Sequence, residues 1–385
     1  MNNFLGIEHK LIPIVINMET TGFCVDKNKL TVLRDELSKS KMEIEYKYQG
    51  INLNSPKQVR EYMIQQGYKK ELASYTAYNQ TPSVDKLVLK KLVNSIPMCK
   101  DLLEYREVAK LLGTYVEPML LCDMWRGNFN QVGTITGRFS SSKPNLQNIP
   151  SRTVLGKRIR ECLTARPGYK LIVSDLSQIE PRLYAFFSQD KKLLNVFTTH
   201  GDFHTDVTKT IYGLNGTPPT KDQRFVGKTV GLATLYGAGT QKLVDTLIKY
   251  GVFLTDKEVN NIRNKIKFNY REATDWYWRY KKYVGDVGHV TTILGRTVPM
   301  ETGMNPVNTR IQGSCADIIK VNMANVGHDK HSLIAQVHDE LICEAEEWRA
   351  GQVAREVSAI MEESVQVKGI HIKADTSVCQ NWGEK

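Results

Sequence analysis

Two short apolar segments, far apart in the chain, most constrain how it can fold. "YKLIVSDL" holds an apolar strand, Leu171–Val173, followed at once by Asp175 and a helical segment. "SLIAQVHDELICEAE" has apolar runs on both sides of His338 and Asp339, which is typical of a hairpin with the acid near its tip. The sequence therefore predicts an α+β fold in which distant segments build one small sheet.

The rest of the chain is dominated by helical patterns. "LTVLRDELSKSKMEIEYKY" has apolar residues at helical spacing, and "TGFCVD" interrupts the pattern before it. In "NLNSPKQVREYMIQQG", Ser55 is a plausible N-cap, Pro56 the first helical residue and Gly67 the stop. We expect the first 125 residues to be almost wholly helical, and residues 190–285 to form a second helical region.

Composition narrows the classes of protein that the chain could belong to. With 385 residues and 41% hydrophobic content it can form two or three lobes. Its formal net charge of +11 favours a polyanionic partner such as nucleic acid. Its 7 Cys residues form no CxxC pair, which argues against a zinc ribbon or a disulfide framework. With neither an export signal nor a membrane-spanning run evident in the sequence, we expect a protein of the cytoplasm or an equivalent compartment.

The two acids at the predicted strand ends are candidates for chemistry. If the strands are neighbours, the carboxylates of Asp175 and Asp339 converge, and convergent carboxylates bind the Mg²⁺ pair used in phosphoryl transfer. The alternative is structural, because an Asp that follows a strand is often the N-cap of a helix.

A third feature is the helix predicted after "TPPT". Thr220 and Gln223 form a capping-box pattern, so a helix should begin there and end near residues 237–239. Four residues recur at every fourth position and share one face of this helix: Arg224, Lys228, Leu232 and Tyr236. Cations near a helix N-terminus oppose its dipole, which a bound anion would explain. The alternative is a solvated face.

Taken in order, these motifs resemble the family A DNA polymerases, the group of bacterial DNA polymerase I and several phage replicative enzymes. The resemblance covers nearly the whole chain. It rests on "NMETTGFCVD", "NLNSPKQV", "LLEYREVAKLLGTYVEPM", "TGRFSSSKPNLQNIP", "IVSDLSQIEPR", "HGDFHTDV", "RFVGKTVGLATLYG", "IQGSCADIIK", "QVHDEL" and "NWGEK".

The resemblance implies a right-hand architecture with an antiparallel palm sheet, a helical thumb and helical fingers. Residues 1–45 would be an N-terminal palm-associated segment and 46–115 the thumb. Residues 116–190 would be palm, with the duplex-binding segment and the first catalytic Asp. Residues 191–285 would be the fingers and 286–385 the palm with the second catalytic Asp. No exonuclease domain is expected, and hence no intrinsic 3′→5′ proofreading.

It also implies roles for particular residues. The expected catalytic residues are Asp175, Asp339, Lys228 and Glu340, with two Mg²⁺ ions on Asp175 and Asp339. The expected deoxynucleotide-binding residues are Arg224, Lys228, Leu232, Tyr236, Glu180, His204 and Gln178, with Glu180 as the steric gate against a ribose 2′-hydroxyl. The expected DNA-binding residues are Arg138, Asn145, Gln147, Asn148, Asn308, Gln312 and His338.

The long polar stretch "GTITGRFSSSKPNLQNIP" has neither strand alternation nor an apolar helical stripe. In the family, the matching segment lies along the primer–template duplex. Minor-groove acceptors occur in every base pair, so Arg and amide donors there can contact any sequence. The resemblance thus explains why the stretch is polar.

Four positions depart from the family pattern: Leu176, Pro181, Leu232 and Ala233. Pro181 requires that the helix after Asp175 has only just begun, since an interior Pro costs about 3 kcal/mol. Leu232 stands where the family usually has Phe or Tyr facing the nucleotide sugar. We therefore expect altered discrimination against nucleotides that lack a 3′-hydroxyl, to be tested by chain-terminator incorporation in Leu232→Phe.

The predicted function is template-directed DNA synthesis from a primer 3′-hydroxyl with deoxynucleoside triphosphates, by a two-Mg²⁺ mechanism that releases pyrophosphate. Expected partners are primer–template DNA and the triphosphates, with a separate exonuclease or processivity factor as a further class, and no membrane. Two alternatives are open: a single-subunit RNA polymerase, against which Glu180 argues, and a non-catalytic DNA-binding scaffold, against which the paired acids argue.

Overall fold

The computed structural model describes residues 3–73, 82–151, 153–214, 216–328 and 331–385. The chain forms two compact units. The larger comprises Met1–Asp26, Cys122–Ala238 and Asn261–Lys385, and the smaller comprises Lys27–Leu121 and Gly239–Asn260. The five-part division into palm, thumb and fingers stays a prediction.

Helices dominate the described residues. They are α1 (Asn3–Thr21), α2 (Lys27–Lys47), α3 (Pro56–Gln65), α4 (Lys69–Ala73), α5 (Lys86–Leu92), α6 (Met98–Leu111), α7 (Glu117–Leu120), α8 (Val154–Glu161), α9 (Ile179–Ser188), α10 (Lys191–Thr198), α11 (Phe203–Tyr212), α12 (Lys221–Leu235), α13 (Thr240–Lys249), α14 (Asp256–Asn269), α15 (Arg271–Val287), α16 (Pro306–His328) and α17 (Ala350–Glu363). A π-helical turn, Leu112–Val116, joins α6 to α7, and 3-10 turns occupy Leu146–Asn148, Glu347–Arg349 and Trp382–Glu384.

The strands are short except in one sheet. They are β1 (Phe23–Val25), β2 (Met124–Trp125), β3 (Asn128–Asn130), β4 (Ser140–Ser142), β5 (Leu163–Thr164), β6 (Tyr169–Leu176), β7 (His289–Thr291), β8 (Thr297–Pro299), β9 (Ser332–Val337), β10 (Glu340–Glu346) and β11 (Ala374–Cys379). No helix within the described residues is long and apolar enough to cross a bilayer.

One four-stranded antiparallel sheet positions the acids. Its strand order is β11-β6-β10-β9, so β6 lies between two strands that come much later in the chain. Its middle is apolar and buried, from Leu171 to Val173 on β6 and from Leu341 to Cys343 on β10. Helix α17 packs on β6 and β11, and α1 packs on β9. The predicted α+β fold, with one small sheet built by distant segments, is confirmed.

Three sequence expectations need correction. The strand predicted for Leu171–Val173 extends over the whole of β6 and includes Asp175, because pairing on both sides continues past the apolar run. The first 125 residues are not all helical, since β1 and β2 form a sheet with β5. The polar stretch from Gly133 to Pro150 contains the short strand β4, which pairs with β3.

The smaller unit is helical and has its own core. Ser55 caps α3 by accepting a hydrogen bond from the Gln58 amide, with Pro56 as the first helical residue, as predicted. Gly67, just beyond the helix, has a φ of +94°, which suits a glycine stop. Its core includes Leu53, Val59, Met63, Leu89, Leu92, Ile96, Leu102 and Tyr105. Helix α13 belongs here, and Lys91 on α5 donates to Asp245 at 3.0 Å.

Candidate active site

The two predicted metal acids lie together at one edge of the sheet. Asp175, near the end of β6, has Glu340 of β10 as one register partner and Asp375 of β11 as the other. The turn between β9 and β10 carries His338 and Asp339, and the Leu176 amide donates to the Asp339 carbonyl at 3.1 Å. Antiparallel pairing of β6 with β10 thus brings this turn beside the end of β6.

Several negatively charged carboxylates lie close together at this edge of the sheet, and the pKa values of two of them are raised. Burial, followed by the negative charge of Asp339, raises the pKa of Asp175 to about 6. Burial also raises the pKa of Asp339, with the charge of Glu180 acting in the same direction. Two neighbouring carboxylates whose charged forms are disfavoured by burial and by nearby negative charge favour a bound cation.

Glu340 is held by the last residues of the sequence. Its Oε1 accepts from the Trp382 indole nitrogen at 2.9 Å, and its Oε2 accepts from Lys385 Nζ at 2.7 Å. Lys385 Nζ also lies 3.8 Å from Asp175 Oδ2. The Trp382 ring is itself fixed, because Phe23 stacks on it with ring centroids 5.3 Å apart.

Trp382 and Lys385 are functional candidates that sequence reasoning missed. "NWGEK" was recognised only as a family motif, and neither its indole nor its ammonium group was assigned a contact. A lysine near the acids can be found only from the fold, since no local pattern relates it to Asp175 or Glu340.

Glu180 sits at a junction between the polar stretch and α12. Its Oε1 accepts from Arg138 Nη2 at 2.5 Å, and its Oε2 accepts from the Tyr236 hydroxyl at 3.0 Å. Burial, followed by the charge of Glu180, raises the pKa of Tyr236 well above its ordinary value. The phenol therefore stays protonated and donates. The structure thus brings together three residues predicted from separate motifs.

The helix that carries Glu180 begins two residues before Pro181, so the proline lies in its first turn, as predicted. Gln178 is the N-cap residue with a φ of +53°, and Pro181 is the third residue of α9, so its missing amide costs no intrahelical bond. The Gln178 side chain accepts from the Phe203 amide at 2.8 Å and thus ties α9 to the start of α11. Leu176, another departure from the family pattern, is buried in the sheet.

Helix α12 presents the predicted cations. Its capping box is present, with Thr220 and Gln223 bonded reciprocally. Arg224 and Lys228 are exposed, and Arg224 Nη2 donates to Asp202 Oδ2 at 2.9 Å. Leu232, Ala233 and Tyr236 are half-buried further along α12 or at its end.

His204 lies beside these cations. It is buried on α11, and burial, with Lys228 and Arg224 acting in the same direction, lowers its pKa to about 4 although Asp202 opposes the change. It is therefore neutral near pH 7.

Close packing explains the two glycines in α12. A Cβ at Gly227 would overlap the Thr208 hydroxyl, and one at Gly231 would lie 3.1 Å from Val207 Cγ1. Both neighbours belong to α11. The element that packs closely on α12 at both glycines is therefore α11.

The predicted DNA-contacting residues fall into two groups. Gln147 donates to the Gln336 side chain at 2.9 Å, and Gln336 donates to the His338 carbonyl at 2.5 Å, so this group adjoins the acidic edge. Asn145 and Asn148 flank Gln147, and Asn148 is exposed. Asn308 and Gln312 form the second group, one turn apart and half-buried on α16.

A small cavity of about 260 Å³ adjoins the acids. It is lined by Arg138, Phe139, Ile179, Glu180, Cys315, Ala316, Ile319, Gln336, His338 and Asp339. Residues predicted from the polar stretch, from α9 and from the β9–β10 turn therefore share one concave surface.

Comparison with known proteins points to one family. The family model "DNA polymerase family A" matches residues 27–384. The chain is 31% identical to DNA polymerase I of Helicobacter pylori, over 98% of this chain and 44% of that protein. It is 30% identical to the thermostable DNA polymerase I of Thermus aquaticus, over 98% of this chain and 48% of that one. The chain thus spans less than half the length of these curated relatives.

A solved structure of a family A polymerase domain is also similar to this chain. The polymerase domain of Pol1 from M. smegmatis, in complex with DNA primer–template and dNTP, matches with a TM-score of 0.88 and 26% identity, over 98% of this chain and 70% of that one. The fold is that of a family A polymerase domain, as predicted. The chain belongs to DNA polymerase family A.

Proposed function

We propose that the chain is a DNA-directed DNA polymerase that extends a primer 3′-hydroxyl with deoxynucleoside triphosphates and releases pyrophosphate. The observation that carries the proposal is the meeting of Asp175 and Asp339 at one sheet edge, where burial raises the pKa of both carboxyls and the charge of Asp339 raises the pKa of Asp175 further. A structural N-cap role for either acid would not require the second to be there.

Family A polymerases generally use divalent metals, and the donor set here suits them. Carboxylate oxygens are the ligands that Mg²⁺ prefers, and Mg²⁺ is usually held by one or two carboxylates plus substrate phosphates. Within the described part of the chain no cluster of three or more His, Cys, Asp or Glu side chains forms a metal site. We assign two Mg²⁺ ions to Asp175 and Asp339, with Glu340 alongside. When bound, they would supply Lewis acidity to the primer hydroxyl and the departing pyrophosphate.

We assign the triphosphate to the cationic face of α12. Arg224 and Lys228 are exposed cations there, and Lys228 would also stabilise the charge of the leaving pyrophosphate. His204, kept neutral by its lowered pKa, adds no charge to them.

The sugar and base would follow along the same helix. Leu232 would face the sugar and Tyr236 would border the templating pair. Glu180, fixed by Arg138 and Tyr236, would exclude a 2′-hydroxyl, and Gln178 would position the start of α9. The effect of Leu232 on terminator discrimination stays a prediction.

We assign primer–template DNA to the polar stretch and α16. Arg138, half-buried beside the cavity, would reach the minor groove near the primer end. Asn145, Gln147, Asn148, Asn308, Gln312 and His338 would supply further donors and acceptors. The M. smegmatis neighbour, whose structure contains DNA primer–template and dNTP, supports this assignment.

The proposal also covers where the chain acts and with which partners. The relatives are bacterial DNA polymerase I proteins, and we propose action in the cytoplasm of a bacterial or phage-infected cell. A separate exonuclease or processivity factor, and the absence of proofreading by the chain itself, stay predictions.

The test is primer extension on a defined template with Mg²⁺ and deoxynucleotides. Wild type should extend the primer, whereas Asp175→Asn and Asp339→Asn should each lose the activity while retaining duplex binding. The matched control is Asp375→Asn, because Asp375 is the register partner of Asp175 on β11 but pairs with Lys373 at 2.7 Å. Equal loss in this control would contradict the assignment of the acids.

The RNA polymerase alternative is tested in the same assay. Wild type should prefer deoxynucleotides over ribonucleotides, and Glu180→Ala should weaken that preference. A scaffold would bind duplex DNA without extending any primer.

A further inference from the structure

Helix α15 exposes aromatic and basic side chains on its solvent side. At 100° per residue this side spans an arc of about 200°, and we name five of its residues the Trp278 face: Trp278, Arg279, Lys281, Lys282 and Tyr283. Exposed acids, among them Asp275 and Asp286, fall within the same arc. All five are exposed, and the Trp278 and Tyr283 side chains are 54% and 56% exposed. The opposite side of the helix is buried through Ala273, Trp276, Tyr277, Tyr280 and Val284.

The exposed rings of Trp278 and Tyr283 each pack against a buried aromatic side chain. The Trp278 ring meets Tyr277 edge to face, with centroids 5.0 Å apart. Tyr283 lies against Tyr280 at 6.1 Å, and Tyr280 stacks on Trp276 at 5.4 Å. Rings that are already held in place lose little freedom when a flat partner stacks on them.

The charge on the face suits a polyanion. In the first half of α15, Glu272 accepts from the Lys191 amide at 2.7 Å and Asp275 pairs with Arg271 at 3.9 Å. The second half carries three cations, Arg279, Lys281 and Lys282, against Asp286. Lys281 Nζ lies 5.5 Å from the centre of the Trp278 ring. Stacking surfaces beside cations are how proteins bind single-stranded nucleic acid without sequence preference.

The face is linked to the end of α12 by a short chain of contacts. Tyr277, the neighbour of Trp278, packs its hydroxyl closely against Gly237. The Asn305 amide donates to the Tyr236 carbonyl at 2.8 Å and lies 3.4 Å from the Tyr277 hydroxyl. A chain of contacts through Tyr277 and Asn305 therefore connects Trp278 to Tyr236.

We infer that the Trp278 face binds the single-stranded template ahead of the templating base. The inference rests on the proposed function, in which Tyr236 borders the templating pair. Bases of the unpaired template stack on Trp278 and Tyr283, and Arg279, Lys281 and Lys282 contact its phosphates.

The test compares two fluorescently labelled primer–templates, one with a single-nucleotide template overhang and one with a ten-nucleotide overhang, by anisotropy titration. Trp278→Ala should weaken binding of the long overhang about fivefold or more, given the usual strength of base–aromatic stacking, and leave the short one unchanged. Trp278→Phe, which keeps a stacking ring, should retain most of the affinity. In Lys281→Gln/Lys282→Gln, the slope of log K against log salt for the long overhang should fall by about 1.4.

The matched control is Trp348→Ala, because Trp348 is 80% exposed and lies outside α15. It should bind both substrates as wild type does, and the thermal unfolding midpoint of each variant should confirm that it folds. Equal affinities of wild type and Trp278→Ala for the long overhang would overturn the inference, as would an equal loss on both substrates.

Failure of the inference and failure of the proposed function are distinguishable. Normal primer extension without overhang-dependent binding refutes the Trp278 face alone. Overhang-dependent binding lost in Trp278→Ala, in a chain that extends no primer with any nucleotide, supports the face and refutes the polymerase.

Discussion

The acidic edge of the sheet and the cationic face of α12 are built in opposite ways. The acidic edge, Asp175, Asp339 and Glu340, comes from two strands and a turn that are far apart in sequence. The cationic face, Arg224 and Lys228, comes from a single helix. At the edge, like charges are brought together by strand pairing and balanced by distant Lys385, whereas on α12 the charges follow from helical spacing. The edge therefore depends on tertiary structure and the face on local structure.

The largest expected effect is at the acidic edge. If Asp175 and Asp339 act as one unit, each Asn variant should lower the single-turnover extension rate by about a thousandfold or more, and the double variant should lose little beyond that. Rapid-quench measurement on one primer–template would show this. Losses that multiply would mean that the two acids act independently.

A smaller effect is expected on α12. Arg224→Gln should raise the KM for deoxynucleotides by about tenfold or more, because in the proposed assignment it removes a charge-assisted contact to phosphate. The control is Lys221→Gln, an exposed cation at the start of the same helix. Steady-state kinetics should show a normal KM in the control. An equal rise in KM there would mean that Arg224 acts only through the overall positive charge of the helix and not through a specific contact.

The buried His204 predicts a pH effect on stability. Its pKa is about 4 in the fold against about 6.5 in an unfolded chain, so the unfolded state binds more protons between these values. The contribution of His204 to stability is therefore lost as pH falls through this window, by about 2 kcal/mol between pH 7 and pH 5. The stability of His204→Gln relative to wild type in urea unfolding should therefore rise by that amount over this pH range. His200→Asn, at an exposed histidine, should show no such change relative to wild type, and the same pH dependence in His204→Gln and wild type would contradict the prediction.

The smallest expected effect concerns the balance of charge at the acidic edge. Lys385 Nζ is 3.8 Å from Asp175 Oδ2, and unit charges about 4 Å apart in a water-like medium interact by about 1 kcal/mol. Lys385→Gln should therefore bind Mn²⁺ about fivefold more tightly, as measured by electron paramagnetic resonance without DNA or nucleotide. Lys385→Arg should behave as wild type. Lys373→Gln, whose lysine pairs with Asp375, is the control, and the same tightening there would assign the effect to overall charge.

Local features were read correctly from the sequence where neighbouring residues decide the structure. The cap of α3 at Ser55, the capping box at Thr220 and the early position of Pro181 in α9 all agree with the structure. The β9–β10 hairpin with Asp339 in its turn does too. These features depend on side chains within a few residues of one another, so the local sequence is enough to predict them.

The lengths of the strands and the identity of their partners could not be predicted from neighbouring residues. β6 is longer than its apolar run, because β10 and β11 continue to pair with it past Val173. The segment "TGFCVD", which interrupts the helical pattern, contains strand β1, and its pairing with β2 and β5 is non-local. Backbone hydrogen bonds between strands depend on which segments pair, and the sequence of one strand does not specify its partner strand.

By itself, the sequence determined the α+β class, the helical periodicity, the caps, and the order of motifs that resembles family A. Only the tertiary structure decided that Lys385 and Trp382 hold Glu340, that Arg138 and Tyr236 meet on Glu180, and that α15 turns Trp278 outward. The physical reason is range. Capping and periodicity act within one or two turns of chain, whereas ion pairs and buried carboxylates depend on distances set by the packing of the whole unit.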